Sequence, residues 1–152
     1  MEKATFGAGC FWGIEYAFCK LDGVSKAPVG YAGGKSPNPT YQQVCTGQTG
    51  HAEVVQVEFD PKKIAYDELL EVFWTIHDPT TLNRQGPDIG TQYRSAIYFH
   101  SSEQEAAIKS AILEIEKSGR YKDPIVTEVA PIDKFYLGEE YHQKYFEKQG
   151  RH

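Results

Sequence analysis

Residues 4–23, ATFGAGCFWGIEYAFCKLDG, change their hydrophobic period within a few positions, and that change indicates an α/β fold. Ala4–Ala8 reads as a short strand running into Gly7-Ala8-Gly9. Beyond it Phe11, Ile14, Phe18 and Leu21 recur at helical spacing until Asp22-Gly23 closes the pattern. The alternation continues along the chain. His51–Phe59 alternates as a strand and stops at Asp60-Pro61, Tyr66, Leu69, Leu70 and Phe73 mark an amphipathic helix, and Ser95–His100 is a further strand. Ser102 with Glu105 reads as a capping box for a helix carrying Ile108, Ala111, Ile112 and Ile115, which ends at Gly119. Ile125–Val129 is expected as the last strand and Glu139–Lys148 as a terminal helix.

A chain of 152 residues, 40% hydrophobic and 24% charged, fits one globular domain spanning 1–152 with a core large enough to fold without disulfides. Cys10, Cys19 and Cys45 are an odd number with no framework spacing, which points to free thiols in a reducing compartment. No secretory leader and no run of membrane-spanning length is visible, so a cytoplasmic location away from membranes is expected. The net charge of −5, without a cluster of Lys or Arg, argues against nucleic acid. The histidines and cysteines lack ligand-like spacing, so no metal is expected.

Two long stretches rich in glycine and proline, about Gly30–Gly50 and about Asp78–Tyr93, separate the periodic segments. They hold Tyr31, Tyr41 and Tyr93, and aromatic residues are scarce in disordered chain, so they read as ordered loops that build a site. The glycines of Gly7-x-Gly9-x-x-x-Gly13 stand where a dinucleotide fingerprint would stand. Bulky Phe11 and Trp12 occupy the space for a pyrophosphate, and no acidic residue follows at the required distance, so a nucleotide site is rejected. The same turn suits a thiol. It places the Cys10 sulfur at the start of a helix, where unpaired amides and the dipole favour an anion and lower a cysteine pKa. Glu53 shares a strand face with Val55, Val57 and Phe59, so its carboxylate is either at the sheet rim or partly desolvated. In the second case its pKa rises and it becomes a general acid.

The strings Gly9-Cys10-Phe11-Trp12-Gly13, Val29-Gly30-Tyr31-Ala32-Gly33-Gly34, Thr49-Gly50-His51-Ala52-Glu53-Val54 and Gly90-Thr91-Gln92-Tyr93-Arg94-Ser95 follow in that order, with Tyr141-His142-Gln143 near the end. Together they closely resemble the A-type peptide methionine sulfoxide reductases, from about Thr5 to Phe146. The resemblance implies a single-domain two-layer α/β sandwich with a mixed sheet and a ferredoxin-like core, its catalytic cysteine at the start of the first helix. It implies reduction of methionine S-sulfoxide, in oxidised proteins or as the free amino acid. Cys10 would then be the nucleophile and Glu53 the acid. Tyr31 and Tyr93 would bind the sulfoxide oxygen, Asp88 would line the polar side of the pocket, and Phe11 and Trp12 would hold the methyl group.

The expected product at Cys10 is a sulfenic acid, which a second thiol must reduce. Many relatives carry resolving cysteines in a C-terminal tail, whereas here no cysteine follows Cys45. Cys19 lies nine residues on, about 13.5 Å along an intact helix and on its far side, beyond disulfide reach. The reading is a one-cysteine cycle with no bound cofactor, fed by an external thiol such as glutaredoxin, glutathione or thioredoxin, with Cys45 as the alternative resolving residue. A rival reading is a cysteine hydrolase using His51 or His142 as base.

Overall fold

The computed structural model describes residues 1–143. Nine strands are described: β1 (Glu2–Ala8), β2 (Val24–Lys26), β3 (Val29–Ala32), β4 (Ala52–Phe59), β5 (Arg84–Gln85), β6 (Asp88–Ile89), β7 (Ser95–Phe99), β8 (Glu128–Pro131) and β9 (Phe135–Leu137). With them stand helices α1 (Phe11–Cys19), α2 (Tyr41–Cys45), α3 (Tyr66–Ile76) and α4 (Ser102–Ser118). The main sheet runs β8-β7-β1-β4-β3-β9, with β2 also paired to β4. All its pairings are antiparallel except β7 with β8, so the sheet is mixed. Within it β1-α1-β3-β4-α3-β7 forms the split β-α-β pattern of a ferredoxin-like core.

Alternation along the strands sorts the side chains. Ala4, Phe6 and Ala8 of β1 and Val55, Val57 and Phe59 of β4 join Ile14, Phe18, Leu69, Phe73 and Ile108 in the core beneath the helices. Phe6 lies at its centre, stacked on Phe18 at 5.1 Å and on Phe73 at 5.2 Å between ring centres. The other sheet face is shallower. There Ala32, Ala52, Val54, Ala96 and Tyr98 are covered by Ala130, Ile132 and Phe135.

Several boundaries differ from the sequence reading. The stretch from Gly30 does not begin as a loop, because Val29–Ala32 is a fully buried strand. A side chain at Gly30 would collide with the Tyr136 carbonyl and the Phe135 ring of β9, so the glycine marks close strand packing rather than a turn. The capping box at Ser102 and Glu105 is displaced by one residue. Ser101 is the N-cap, and its hydroxyl accepts from the Gln104 amide at 3.2 Å. Gln104 turns inward to bind the Lys3 carbonyl and the His100 amide, which fixes that register. The helix stops as read, at left-handed Gly119. Ile125–Val129 is not the last strand. The Val126 amide is bound by the Pro79 carbonyl, so pairing with β7 starts only at Glu128, and β9 follows. Of the expected helix Glu139–Lys148, the described part is one 3-10 turn, Glu140–His142, and residues 144–148 lie outside the described residues.

The corrected cap has a measurable consequence. Ser101→Ala should lower the unfolding free energy in urea by about 1 kcal/mol, while Ser102→Ala stays within about 0.5 kcal/mol of the parent.

Candidate active site

Cys10 is the N-cap residue of α1, reached through Gly9 at φ +94, a conformation that a residue with a side chain rarely adopts. A Cβ on Gly9 would also approach the Gln85 side chain to 3.0 Å, because the β5–β6 hairpin is docked against this turn. The hairpin brings Asp88 into the electrostatic field of Cys10, Glu53 and Tyr93.

Glu53 lies on β4 and is fully buried, on the face shared with Val55, Val57 and Phe59. Its position is desolvated rather than at the rim. The Phe11 amide, one of the unpaired donors of α1, donates to Glu53 Oε1 at 3.2 Å. Oε2 has no partner among the described residues. Burial outweighs that single bond, and with the charge of Asp88 it raises the carboxyl from 4.5 to about 8. At neutral pH Glu53 is therefore a carboxylic acid. With Oε1 accepting from Phe11, its proton belongs on the open Oε2.

The thiol departs from the sequence reading. Cys10 is partly buried, and desolvation, with Glu53 and Asp88 adding to it, pushes the sulfur up to about 11. The Trp12 and Gly13 amides pull the other way, but neither forms a full capping bond. The helix start is present, yet it does not give a resting thiolate. Cys10 and Glu53 are both protonated at neutral pH.

The aromatic residues fall into two groups. Trp12 and Tyr93 are half-buried, whereas Phe11 and Tyr31 are fully buried behind them. Burial, followed by Glu53, Cys45, Asp88 and Cys10, raises the Tyr93 phenol to about 12, so it stays a hydrogen donor. Tyr31 already donates its hydroxyl to Glu139 Oε1 at 2.8 Å, so a ligand oxygen would have to compete with that carboxylate. Glu139, which the sequence reading did not single out, also accepts from the Tyr41 amide at 2.9 Å. Burial works against its charge, but these two donors win and hold its pKa below the ordinary carboxylate value. No local pattern marks Glu139 in the sequence. It becomes visible only when β9 carries the chain alongside β3.

Cys45 closes α2 and is exposed, hydrogen-bonded to the Tyr41 hydroxyl. Burial raises its pKa, and the charges of Glu53 and Glu139 add to that, so it stands within the field of the site. Cys19 ends the intact α1, on the far side from Cys10. The histidines offered as hydrolase bases are committed elsewhere. His51 Nδ1 accepts from the Gly34 amide at 3.0 Å, and its Nε2 donates to the Ser36 carbonyl at 2.7 Å. His142 Nδ1 accepts from Trp12 Nε1 at 3.0 Å. No group of His, Cys, Asp and Glu suited to a metal ion occurs among the described residues.

Known proteins share this frame. A family profile for "Peptide methionine sulfoxide reductase" matches residues 2–152. The peptide methionine sulfoxide reductase MsrA of Methanothermobacter thermautotrophicus is 62% identical over 150 residues, covering 99% of this chain and 89% of that one. Mxr1 from Saccharomyces cerevisiae in reduced form superposes with a TM-score of 0.89 at 41% identity, covering 99% of this chain and 87% of that one. Mxr1 in complex with Trx2 gives 0.63 at 30% identity, covering 95% and 84%. Likeness of this extent, in sequence and in fold alike, means that the chain belongs to the peptide methionine sulfoxide reductase family.

Proposed function

We propose that Cys10 attacks the sulfur of methionine S-sulfoxide, protein-bound or free, while Glu53 delivers a proton to the sulfoxide oxygen. The observation that carries this reading is the buried Glu53 carboxyl, held by the Phe11 amide at the start of the helix that Cys10 caps. A sulfoxide oxygen is a poor leaving group until protonated, and an acid poised near 8 is matched to that task. The step balances without a cofactor. A bond forms between Cys10 Sγ and the substrate sulfur, the protonated oxygen moves to Sγ, and methionine leaves. Sγ is oxidised to a sulfenic acid as the sulfoxide is reduced. The thiol proton of Cys10 replaces the one Glu53 gave, so the carboxyl ends the step as it began.

Tyr93, a phenol that stays protonated, donates to the same oxygen, and Asp88 keeps that side of the pocket polar and acidic. Tyr31 joins once the substrate oxygen displaces Glu139 from its hydroxyl. Trp12 contacts the methyl group, with Phe11 packed behind it at 6.5 Å between ring centres. The sulfenic acid is reduced directly by an external thiol, from glutaredoxin, glutathione or thioredoxin. The complex of the yeast relative with Trx2 supports a thioredoxin. The intact α1 argues against Cys19 as a resolving residue. Cys45, exposed and beside Tyr41, is the second reading.

Glu53→Gln should slow reduction of the S epimer by about 10²- to 10⁴-fold. In the parent enzyme kcat/KM should fall as pH rises through about 8, because the acid form is lost there, and this limb should vanish in the variant. Reduction of the R epimer alone would overturn the assignment.

The same substitution should stabilise the fold. A carboxyl with a raised pKa supports the folded state at low pH and loses that support as pH rises. The advantage of Glu53→Gln in unfolding free energy should grow from pH 5 to about 8, reach on the order of 3–5 kcal/mol, and then level off.

After one turnover without reductant, mass spectrometry should find a sulfenic acid on Cys10 that a sulfenic-acid-selective reagent traps. A Cys10–Cys45 disulfide in its place would replace the one-cysteine cycle by the second reading.

A further inference from the structure

The segment that follows β9 grips the site at three points. Glu139 binds the Tyr31 hydroxyl and the Tyr41 amide, His142 binds the Trp12 indole, and Gln143 binds both the amide and the carbonyl of Val29 at 2.9 Å. Of these, His142 is the residue whose chemistry is least explained by packing. Its ring is fully buried, 4.3 Å from the ring centre of Tyr41, 5.0 Å from that of Phe11 and 5.6 Å from that of Trp12. Phenylalanine would fill the same space without a polar atom. The imidazole instead leaves Nε2 buried without a partner among the described residues, which is unfavourable. What it offers in return is Nδ1, an acceptor directed at Trp12 Nε1 at 3.0 Å. Because Nδ1 accepts, the ring is the neutral tautomer with its hydrogen on Nε2. Burial favours that neutral form, against the opposing charge of Glu139.

Trp12 is half-buried, with its ring near Phe11 and Tyr41. Ring contacts by themselves leave an indole's side-chain torsions loosely set, and its single N–H is the one directed donor on the ring. One directed bond to a fixed acceptor selects a single setting. We propose that His142 is a positioning residue for the reductase, its Nδ1 fixing the Trp12 indole as the wall of the pocket for the substrate methyl group. The inference rests on the reading of Trp12 given under Proposed function.

The test uses the full chain with His142→Phe, which keeps the ring and removes the acceptor, and His142→Asn, which keeps an acceptor oxygen near the position of Nδ1. Each is assayed with methionine S-sulfoxide and dithiothreitol. His142→Phe should raise KM about five- to tenfold, with kcat within about twofold, and His142→Asn should recover most of the loss. In a Trp12→Phe background, where no indole N–H remains, adding His142→Phe should change KM by less than about twofold. A second measurement follows Trp12 fluorescence in Trp74→Phe, which leaves Trp12 as the only tryptophan. His142→Phe should alter its emission and open it to acrylamide, whereas His142→Asn should not. Equal damage from both His142 variants, additive losses with Trp12→Phe, or unchanged fluorescence in His142→Phe would overturn the positioning role itself. An unchanged KM in Trp12→Phe, with the fluorescence response intact, would instead overturn the methyl-pocket reading and this proposal with it.

Discussion

The site depends on one costly placement, a carboxyl on the core-facing side of a central strand with a single amide for company. Glu53 shares the face of Val55, Val57 and Phe59, and its only described hydrogen bond comes from the Phe11 amide at the start of α1. Burying an ionised carboxylate there would cost far more than one amide returns, so the group stays neutral instead. This placement requires β4 to be central, which the pairing with β1 on one side and β3 on the other ensures. It also requires the N-terminus of α1 to lie over β4, which the turn through Gly9 provides.

Around this pair, loops are tied down by side-chain hydrogen bonds. Arg94 donates to the carbonyls of Thr91 and Gly50 at 2.9 and 3.0 Å and to the Tyr98 hydroxyl at 3.1 Å. Tyr98 in turn donates to Glu128. His51 holds the chain from Gly34 to Ser36, where a side chain on Gly34 would strike the Thr49–His51 backbone. These bonds connect both glycine-rich stretches to β4 and β7, so Tyr93 and Glu53 are set by the same rigid sheet. A histidine in a chain with a candidate nucleophilic cysteine invites a hydrolase reading, but both ring nitrogens of His51 serve the loop backbone.

Sequence periodicity made the central layer legible because it depends on local alternation. The strands around Ala4–Ala8, His51–Phe59 and Ser95–His100 and the α3 pattern of Tyr66, Leu69, Leu70 and Phe73 all lie within a residue or two of their observed positions. The strand face of Glu53, shared with Val55, Val57 and Phe59, was legible for the same reason, but its choice between rim and core was not. What periodicity could not reveal depends on pairing between distant segments. β3 carries no alternation because it is buried on both faces, and the start of β8 is decided by the bond between Val126 and Pro79. Glu139 and His142 enter the site only because β9 adds to the sheet edge at β3. The family resemblance, rather than any local pattern, grouped Asp88 and Tyr93 with Cys10, and Asp88 does act on the charge of Cys10 and Tyr93.

The least legible property was the charge state of the sulfur, and the reason is physical. A helix N-terminus favours a thiolate by its orphan amides, an effect on the scale of about 1 kcal/mol within the first turn. Desolvation and two neighbouring carboxyls act on the same atom in the opposite direction, and together they win. Desolvation raises Glu53 as well, so burial keeps both groups protonated. This arrangement suits a substrate that is itself neutral and needs both a nucleophile and a proton. A sulfoxide brings a strongly dipolar S–O group into the site, and its oxygen is the acceptor that Glu53 Oε2 lacks in the described structure. In the proposed step, proton transfer from Glu53 to that oxygen would leave a carboxylate beside the thiol, ready to take the thiol's proton as the sulfur attacks. The nucleophile would then be generated only in the presence of its substrate, and a reactive thiolate would not be left standing in an unoccupied pocket.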